Sequence, residues 1–122
     1  MKMQMKNSRL VVTGMGAVTP IGIGVDAYWN NLVQGVCGVD AITRFDTENL
    51  PVKIAAEVKD FDPLAFMPKK LTREMDVFMQ YGYAAAMEAI DMAGGDDIAS
   101  PERMGITVGT ALGGIAPIGE TQ

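Results

Sequence analysis

A long run of apolar and small residues at helical spacing constrains the fold of this chain most strongly. The run extends from about Thr72 to Ala93, and Gly94-Gly95 follows it as a helix stop. Several of its residues are alanine or glycine, whose small side chains let another backbone approach closely. The positions on this face are Met75, Phe78, Met79, Gly82, Ala85, Ala86, Ala89 and Ala93. The pattern predicts a long, deeply buried helix over residues 72–93, packed against a central helix or sheet.

A glycine-rich stretch near the start, "VVTGMGAVTPIGIG" at residues 11–24, raises a question of function. β-branched residues pass into Gly14-Met15-Gly16, as in a dinucleotide-binding fingerprint. The third glycine of that fingerprint is replaced here by Thr19, and further glycines delay any helix to about Asp26. The acidic residue about 20 positions on, Asp40, is expected to follow a turn and not a second strand. We therefore reject a nucleotide site and predict no cofactor.

Short strands and helices alternate along the rest of the chain. We predict strands at residues 10–13, 52–58 and 104–108, and a helix at 25–34 that stops at Gly35. The middle strand is predicted from alternating apolar and polar side chains, and the other two are predicted from short apolar runs. Because no capping element follows the last glycine-rich stretch, this order is typical of the opening of a larger α/β domain.

Composition excludes several kinds of chemistry. The chain has no histidine, so it encodes no His-based general acid or base, no Cys-His pair and no Ser-His triad. Cys37 is the single cysteine, which leaves zinc without its usual ligands and suits a reducing compartment such as the cytoplasm. We predict no metal site. The net charge of -5 argues against nucleic-acid or membrane-surface binding, and no apolar run is long enough to span a membrane.

Four motifs carry a resemblance to a known family. They are "RLVVTGMGAVTPIG", "FDTENLPVKIAAEVKDFDP", "REMDVFMQYGYAAAMEA" and "GITVGTALGG". Together they resemble the N-terminal part of a β-ketoacyl-acyl-carrier-protein synthase, an acyltransferase, of the elongating type II of fatty-acid biosynthesis. The resemblance covers residues 8–122. It implies a thiolase-like fold of two βαβαβαββ halves in an α-β-α-β-α sandwich, of which residues 1–122 would be an incomplete N-terminal half-domain.

The resemblance also implies where the chemistry lies. The family condenses a cysteine-bound acyl group with malonyl on acyl carrier protein, and it uses one cysteine in a Thr-Ala-Cys-type motif and two histidines. None of these motifs occurs in this chain, so we expect no catalytic residue here and no activity of the chain alone. A homodimer is expected for the full-length protein. The alternative is a non-catalytic protein, either a chain-length-factor-like partner or a stand-alone interaction module.

Two sets of residues are candidates for binding. By the resemblance, Lys69, Lys70 and Arg73 match basic positions that meet the acidic acyl carrier protein, although Glu74 stands where a basic residue is common. A solvated helix start is the competing interpretation. Leu112 matches the position that projects into the acyl-chain pocket near the dimer interface. The competing interpretation is an ordinary core leucine, and the two interpretations are compatible. Cys37 follows a helix C-terminus, which disfavours a thiolate, so we interpret it as a small filler at a turn.

Overall fold

A computed structural model of the chain describes residues 9–111 and 113. Its strands and helices follow one another in the order β1 (Val18–Thr19), β2 (Gly22–Ile23), α1 (Val25–Val33), β3 (Val39–Ala41), β4 (Ile54–Ala56), α2 (Lys69–Glu74) and α3 (Val77–Ala93). Short 3-10 turns lie at Pro63–Ala65, Asp96–Ile98 and Pro101–Arg103. Within this part of the chain, no helix combines the length and apolar character needed to cross a bilayer.

The predicted long helix is two helices. Met75 is extended (φ -105°, ψ 131°), so α2 ends before it, and the Asp76 carboxylate then accepts the Val77 N–H at 2.6 Å to start α3. The Gln80 side chain stabilises the break, because its amide donates to the carbonyls of Thr72 (3.0 Å) and Met75 (2.9 Å). These bonds satisfy carbonyls that the end of α2 leaves without helical partners. The prediction of one helix from residue 72 was therefore wrong, while its end at Gly94 (φ 113°) is confirmed.

Two antiparallel hairpins account for all pairing within the described residues. β1 and β2 form a tight hairpin inside the glycine-rich stretch at residues 11–24, with Val18 opposite Ile23. Residue 40 lies in β3, whose Asp40 pairs with Ala55 of β4. Asp40 follows the turn after α1, as expected, and only one strand residue, Val39, precedes it. The predicted strand at residues 52–58 is confirmed over its centre, Ile54–Ala56.

The two short apolar runs at residues 10–13 and 104–108 form no ladder within the described residues, so the prediction of strands there was wrong. A strand is defined by its partner, and neither run has one here. Leu10 is 100% exposed and Ile106 is 92% exposed. The α3 helix is also less buried than predicted, since only Gln80 and Ala84 of its described side chains are buried.

Helix α1 agrees closely with its prediction. It covers Val25–Val33, with Gln34 as its C-cap and Gly35 directly after it. Its start is unusual, because the N-cap residue is Gly24, which has no side chain to accept a backbone N–H. The side chain of Asn31 donates to the Ile21 carbonyl at 2.6 Å and so holds α1 to the hairpin turn.

Candidate functional site

The glycine segment at residues 14–16 packs directly on the backbone of α3. A Cβ atom at Gly14 would overlap the Ala89 carbonyl oxygen, and one at Gly16 would overlap the Ala85 carbonyl oxygen. Glycines face alanines here, so two backbones meet with no side chain between them. Small residues of α3 do admit a close neighbour, as the sequence predicted. That neighbour is the chain's own glycine segment, whereas Gly82 faces open space within the described residues.

The N-terminus of α1 is occupied by a carboxylate from α3. Glu88 Oε1 accepts the Val25 N–H at 2.7 Å, and Glu88 Oε2 accepts the Ala17 N–H at 2.9 Å. In a dinucleotide-binding fold a pyrophosphate lies at the corresponding helix start. The geometry therefore agrees with the rejection of a nucleotide site. Glu88 was not predicted from the sequence. A glycine at the N-cap position is nevertheless a signal, because it has no side chain and the cap must then come from another part of the chain.

The three candidate basic residues lie on α2, which corrects their placement at the start of the long helix. Lys69 and Lys70 are in its first turn and Arg73 is in its last turn. All three are exposed. Across residues 9–111 and 113 the one salt bridge joins Lys59 to Asp40 at 2.8 Å, so none of the three cations is paired with a described carboxylate. Arg73 lies where the helix dipole favours a cation, whereas the two lysines lie where it does not.

Helix α2 is short, with six residues, and it is held in place at both ends. Before it, Met67 is only 4% exposed and anchors the chain in the small core. After it, Gln80 of α3, at 8% exposure, donates to the carbonyls of Thr72 in α2 and of Met75 directly after α2. The cations therefore project from an anchored helix and not from a free loop. Glu74 is exposed on the same helix and reduces its net positive charge.

A second polar network joins the β3–β4 hairpin to α3. The Arg44 guanidinium donates to the Tyr81 hydroxyl at 2.6 Å and to the Val58 carbonyl at 3.2 Å. Phe61 stacks on Phe66 with ring centroids 5.5 Å apart and meets Tyr81 edge-on at 4.9 Å. This network was not predicted, because its members are separated by many residues in sequence.

Two carboxylates of the hairpin are perturbed by their hydrogen bonds. The hydrogen bond from Lys59 lowers the pKa of Asp40, and the same contact raises the pKa of Lys59. The Thr43 hydroxyl, which donates to Glu57 at 2.7 Å, lowers the pKa of that carboxyl. All these groups are on the surface, where ion pairs are screened by water. Within the part of the chain that the structure describes, no three acidic or cysteine side chains come close enough to hold a metal ion.

An apolar cavity of about 830 Å³ separates the first half of α3 from the extended segment at residues 106–111. Phe78, Met79 and Tyr83 line it on the helix side, and Ile106 and Val108 line it on the other. Leu112, the candidate acyl-pocket residue, lies outside the described residues. Its neighbour Gly113 lies against the Phe78 ring, with which a Cβ at that position would collide.

Cys37 is exposed, in the turn between α1 and β3. It lies beyond the C-terminal end of α1. The position agrees with the interpretation of Cys37 as a small residue at a turn.

Comparison with known proteins identifies the family. The family model described as "Beta-ketoacyl synthase, N-terminal domain" matches residues 7–121. The chain belongs to the β-ketoacyl synthase family. The four motifs that carry the resemblance all lie within the matched range, so the resemblance is confirmed.

Individual β-ketoacyl synthases show the same relationship. The chain is 40% identical over 112 residues to the 3-oxoacyl-[acyl-carrier-protein] synthase 2 of Vibrio harveyi, covering 91% of this chain and 27% of the relative. It is 43% identical over 111 residues to the protein of the same name from Staphylococcus aureus (strain COL), covering 90% and 27%. The chain thus spans about a quarter of the length of these relatives.

A solved structure, described as the ishigamide ketosynthase/chain length factor, is also similar. It superposes with a TM-score of 0.63 at 40% identity and covers 71% of this chain and 22% of its own. Family membership and this likeness imply a thiolase-like fold for the protein, of which the described residues contain the helices α1 to α3 and the two hairpins.

Proposed function

We propose that this chain forms the N-terminal part of a decarboxylating condensing enzyme, which elongates acyl chains with malonyl-acyl-carrier protein in fatty-acid biosynthesis. The family match and the two relatives named 3-oxoacyl-[acyl-carrier-protein] synthase 2 support this reaction. The chain has no histidine, so we place the nucleophilic cysteine and the two histidines of the reaction elsewhere in the protein. Residues 1–122 then build one part of an α-β-α-β-α sandwich and contribute binding surfaces.

The binding surface proposed for the acyl carrier protein is α2, with Lys69, Lys70 and Arg73. The observation that carries it is the exposure of three cations on an anchored helix, none of them paired with a described carboxylate. The chain as a whole is acidic, with a net charge of -5, so α2 is a local positive feature on a negative background. Such a surface steers an acidic partner by opposite charge, and salt weakens the encounter.

A double charge reversal tests this surface in the full-length protein. Lys70→Glu with Arg73→Glu should slow condensation from carrier-bound substrates several-fold, since each exposed contact is worth only about 0.2–1 kcal/mol. Reaction with a small acyl thioester that lacks the carrier should be unchanged. The measurement is kcat/KM for both substrates at low and moderate salt.

The chain offers a matched control for this experiment. Lys53 and Arg103 are exposed cations outside α2, so Lys53→Glu with Arg103→Glu changes the net charge equally. If the control slows carrier-bound substrates as much as the α2 variant does, net charge decides and docking on α2 is wrong. Equal slowing of both substrates by the α2 variant contradicts docking as well, because it indicates damage to the fold.

The acyl chain is proposed to bind next to Leu112. The apolar cavity between α3 and residues 106–111 is lined by the residues that immediately precede Leu112 in sequence, which supports a site for an alkyl chain. In the proposed homodimer this region lies near the interface between subunits. Leu112→Phe, which fills space, should shift the preference of the full-length enzyme toward shorter acyl chains. Unchanged chain-length preference would contradict the assignment.

A non-catalytic partner is the second candidate, because the similar solved structure includes a chain length factor. The two candidates differ in whether the full-length protein carries a nucleophilic cysteine. Incubation with an acyl-carrier thioester should add the mass of one acyl group to a condensing enzyme. No acyl adduct on a folded, full-length protein would favour the partner.

A further inference from the structure

The hairpin β1–β2 is closed at its base by one side chain from α3. Ala17 and Val25 flank the hairpin on its two sides, and both donate their N–H groups to the Glu88 carboxylate. Between these two residues, the Gly24 N–H donates to the Ala17 carbonyl at 2.8 Å. The two ends of a nine-residue segment therefore meet at a single half-buried carboxylate, 63 and 71 positions later in the sequence.

The chemistry of this contact is that of an anion at a helix start. Helix α1 has nine residues, and its first N–H groups have no partner within the helix. Gly24 is the N-cap and supplies no side-chain acceptor. Its φ of 90° and the Glu88 oxygen, 3.2 Å from where a Cβ would lie, both favour glycine at this position. Gly24 therefore supplies no cap of its own, but its lack of a side chain leaves room for Glu88 to cap α1 instead.

We propose that the Glu88 carboxylate is a structural anion in this protein, which caps the N-terminus of α1 from α3. It fills the place at the α1 N-terminus where a dinucleotide-binding fold holds a phosphate. It also clips the hairpin and α1 to α3 as one unit. Both carboxylate oxygens are needed, because each accepts a different N–H group. The close contact of the glycine segment at residues 14–16 with α3 brings the Glu88 side chain within reach of both N–H groups.

Hydrogen exchange with chemical rescue tests the clip in the full-length protein. Glu88→Ala should accelerate exchange in the peptide spanning residues 17–25 by roughly tenfold or more, since a charge-assisted hydrogen bond is lost at each end. Sodium formate should restore much of the protection, because the small carboxylate enters the space that the side chain leaves. Sodium chloride at the same ionic strength should not restore it.

Asp91 provides a matched control. It lies on α3 less than one turn beyond Glu88 and is exposed, and both residues line a cavity of about 410 Å³ between α3 and the β1–β2 hairpin. Asp91→Ala removes the same charge and should leave exchange of residues 17–25 within twofold of wild type, with or without formate. Equal acceleration by both variants would overturn the clip, since charge alone would then explain the effect.

A second variant keeps the test valid where Glu88→Ala does not fold. Glu88→Gln has nearly the same volume, but its amide has one acceptor oxygen and directs an NH₂ group at the other N–H. It should accelerate exchange of residues 17–25 while peptides of α2 keep their protection. Wild-type protection in Glu88→Gln, uniform loss across all peptides, or loss that formate leaves unchanged in Glu88→Ala would each overturn the proposal.

Discussion

The glycine segment at residues 14–16 and the segment at residues 106–111 both border α3, yet they contact it differently. The glycine segment touches the helix backbone at Ala85 and Ala89, and the next residue, Ala17, donates its N–H to Glu88 of α3. The segment leaves a cavity of about 830 Å³, where Phe78, Met79 and Tyr83 project from the helix. Small residues on both sides allow direct contact, whereas large apolar side chains on one side require a neighbour shaped to receive them.

The largest effect is expected from the loose packing between α3 and its neighbours such as residues 106–111. Residues 1–122 expressed alone should not unfold cooperatively, because fully exposed apolar side chains such as Leu10 and Ile106 leave too little buried surface to stabilise one structure. They should also show no condensing activity. Circular dichroism during thermal melting, combined with light scattering, measures the first expectation. A sharp melt of a monodisperse monomer would contradict it.

The next largest effect is expected where the glycine segment at residues 14–16 packs tightly on α3. Gly16→Val should destabilise the full-length protein by about 3 kcal/mol or more, because the new side chain overlaps the carbonyl of Ala85. Gly82→Ala is the control, since a Cβ at Gly82 of α3 would meet none of the described atoms within 4 Å. Alanine there should be neutral or stabilise by up to about 1 kcal/mol, because glycine weakens a helix interior. Denaturant unfolding gives both values, and equal destabilisation by the two variants would remove the distinction between the two sides of α3.

The junction between α2 and α3 predicts a moderate effect. Gln80→Glu keeps the shape of the side chain but replaces the NH₂ donor with an oxygen that faces the carbonyls of Thr72 and Met75. A loss of about 1–3 kcal/mol in the free energy of unfolding is expected. Carrier-bound substrates should also react more slowly than small thioesters, because α2 loses its anchor. A variant as stable as wild type, with an unchanged substrate ratio, would show that Gln80 does not hold α2.

The β3–β4 hairpin, with its exposed side chains, predicts the smallest effect. Glu57 accepts hydrogen bonds from Thr43, which lower its pKa in the folded state. Its contribution is therefore present above the pKa of the unfolded chain and is lost as the pH falls through the lower, folded value. Glu57→Gln should be slightly less stable than wild type at pH 7, and the difference should shrink below roughly pH 4. Unfolding free energies at both pH values measure this, and a difference that grows in acid would reverse the assigned sign.

Local patterns in the sequence determined the elements whose signals lie within a few residues. Helix α1 follows from an apolar face that ends at Gly35, and the end of α3 follows from Gly94, which adopts the left-handed conformation there. The alternation around Ile54 predicted β4. Four motifs together identified the family, because their order and spacing are read directly from the chain. The basic residues of the candidate site were also found this way, although their docking role stays a proposal.

Only the tertiary structure decided which distant groups meet. Glu88 reaches Ala17 and Val25, Gln80 reaches the carbonyls that end α2, and β3 finds β4, and none of these pairs shares a local pattern. The same reason explains why residues 10–13 and 104–108 are apolar runs without a ladder in the described structure. A helix makes its hydrogen bonds within its own segment, so nearby residues encode it. A strand, a remote cap and a close backbone contact each need a partner whose position depends on the path of the chain between them.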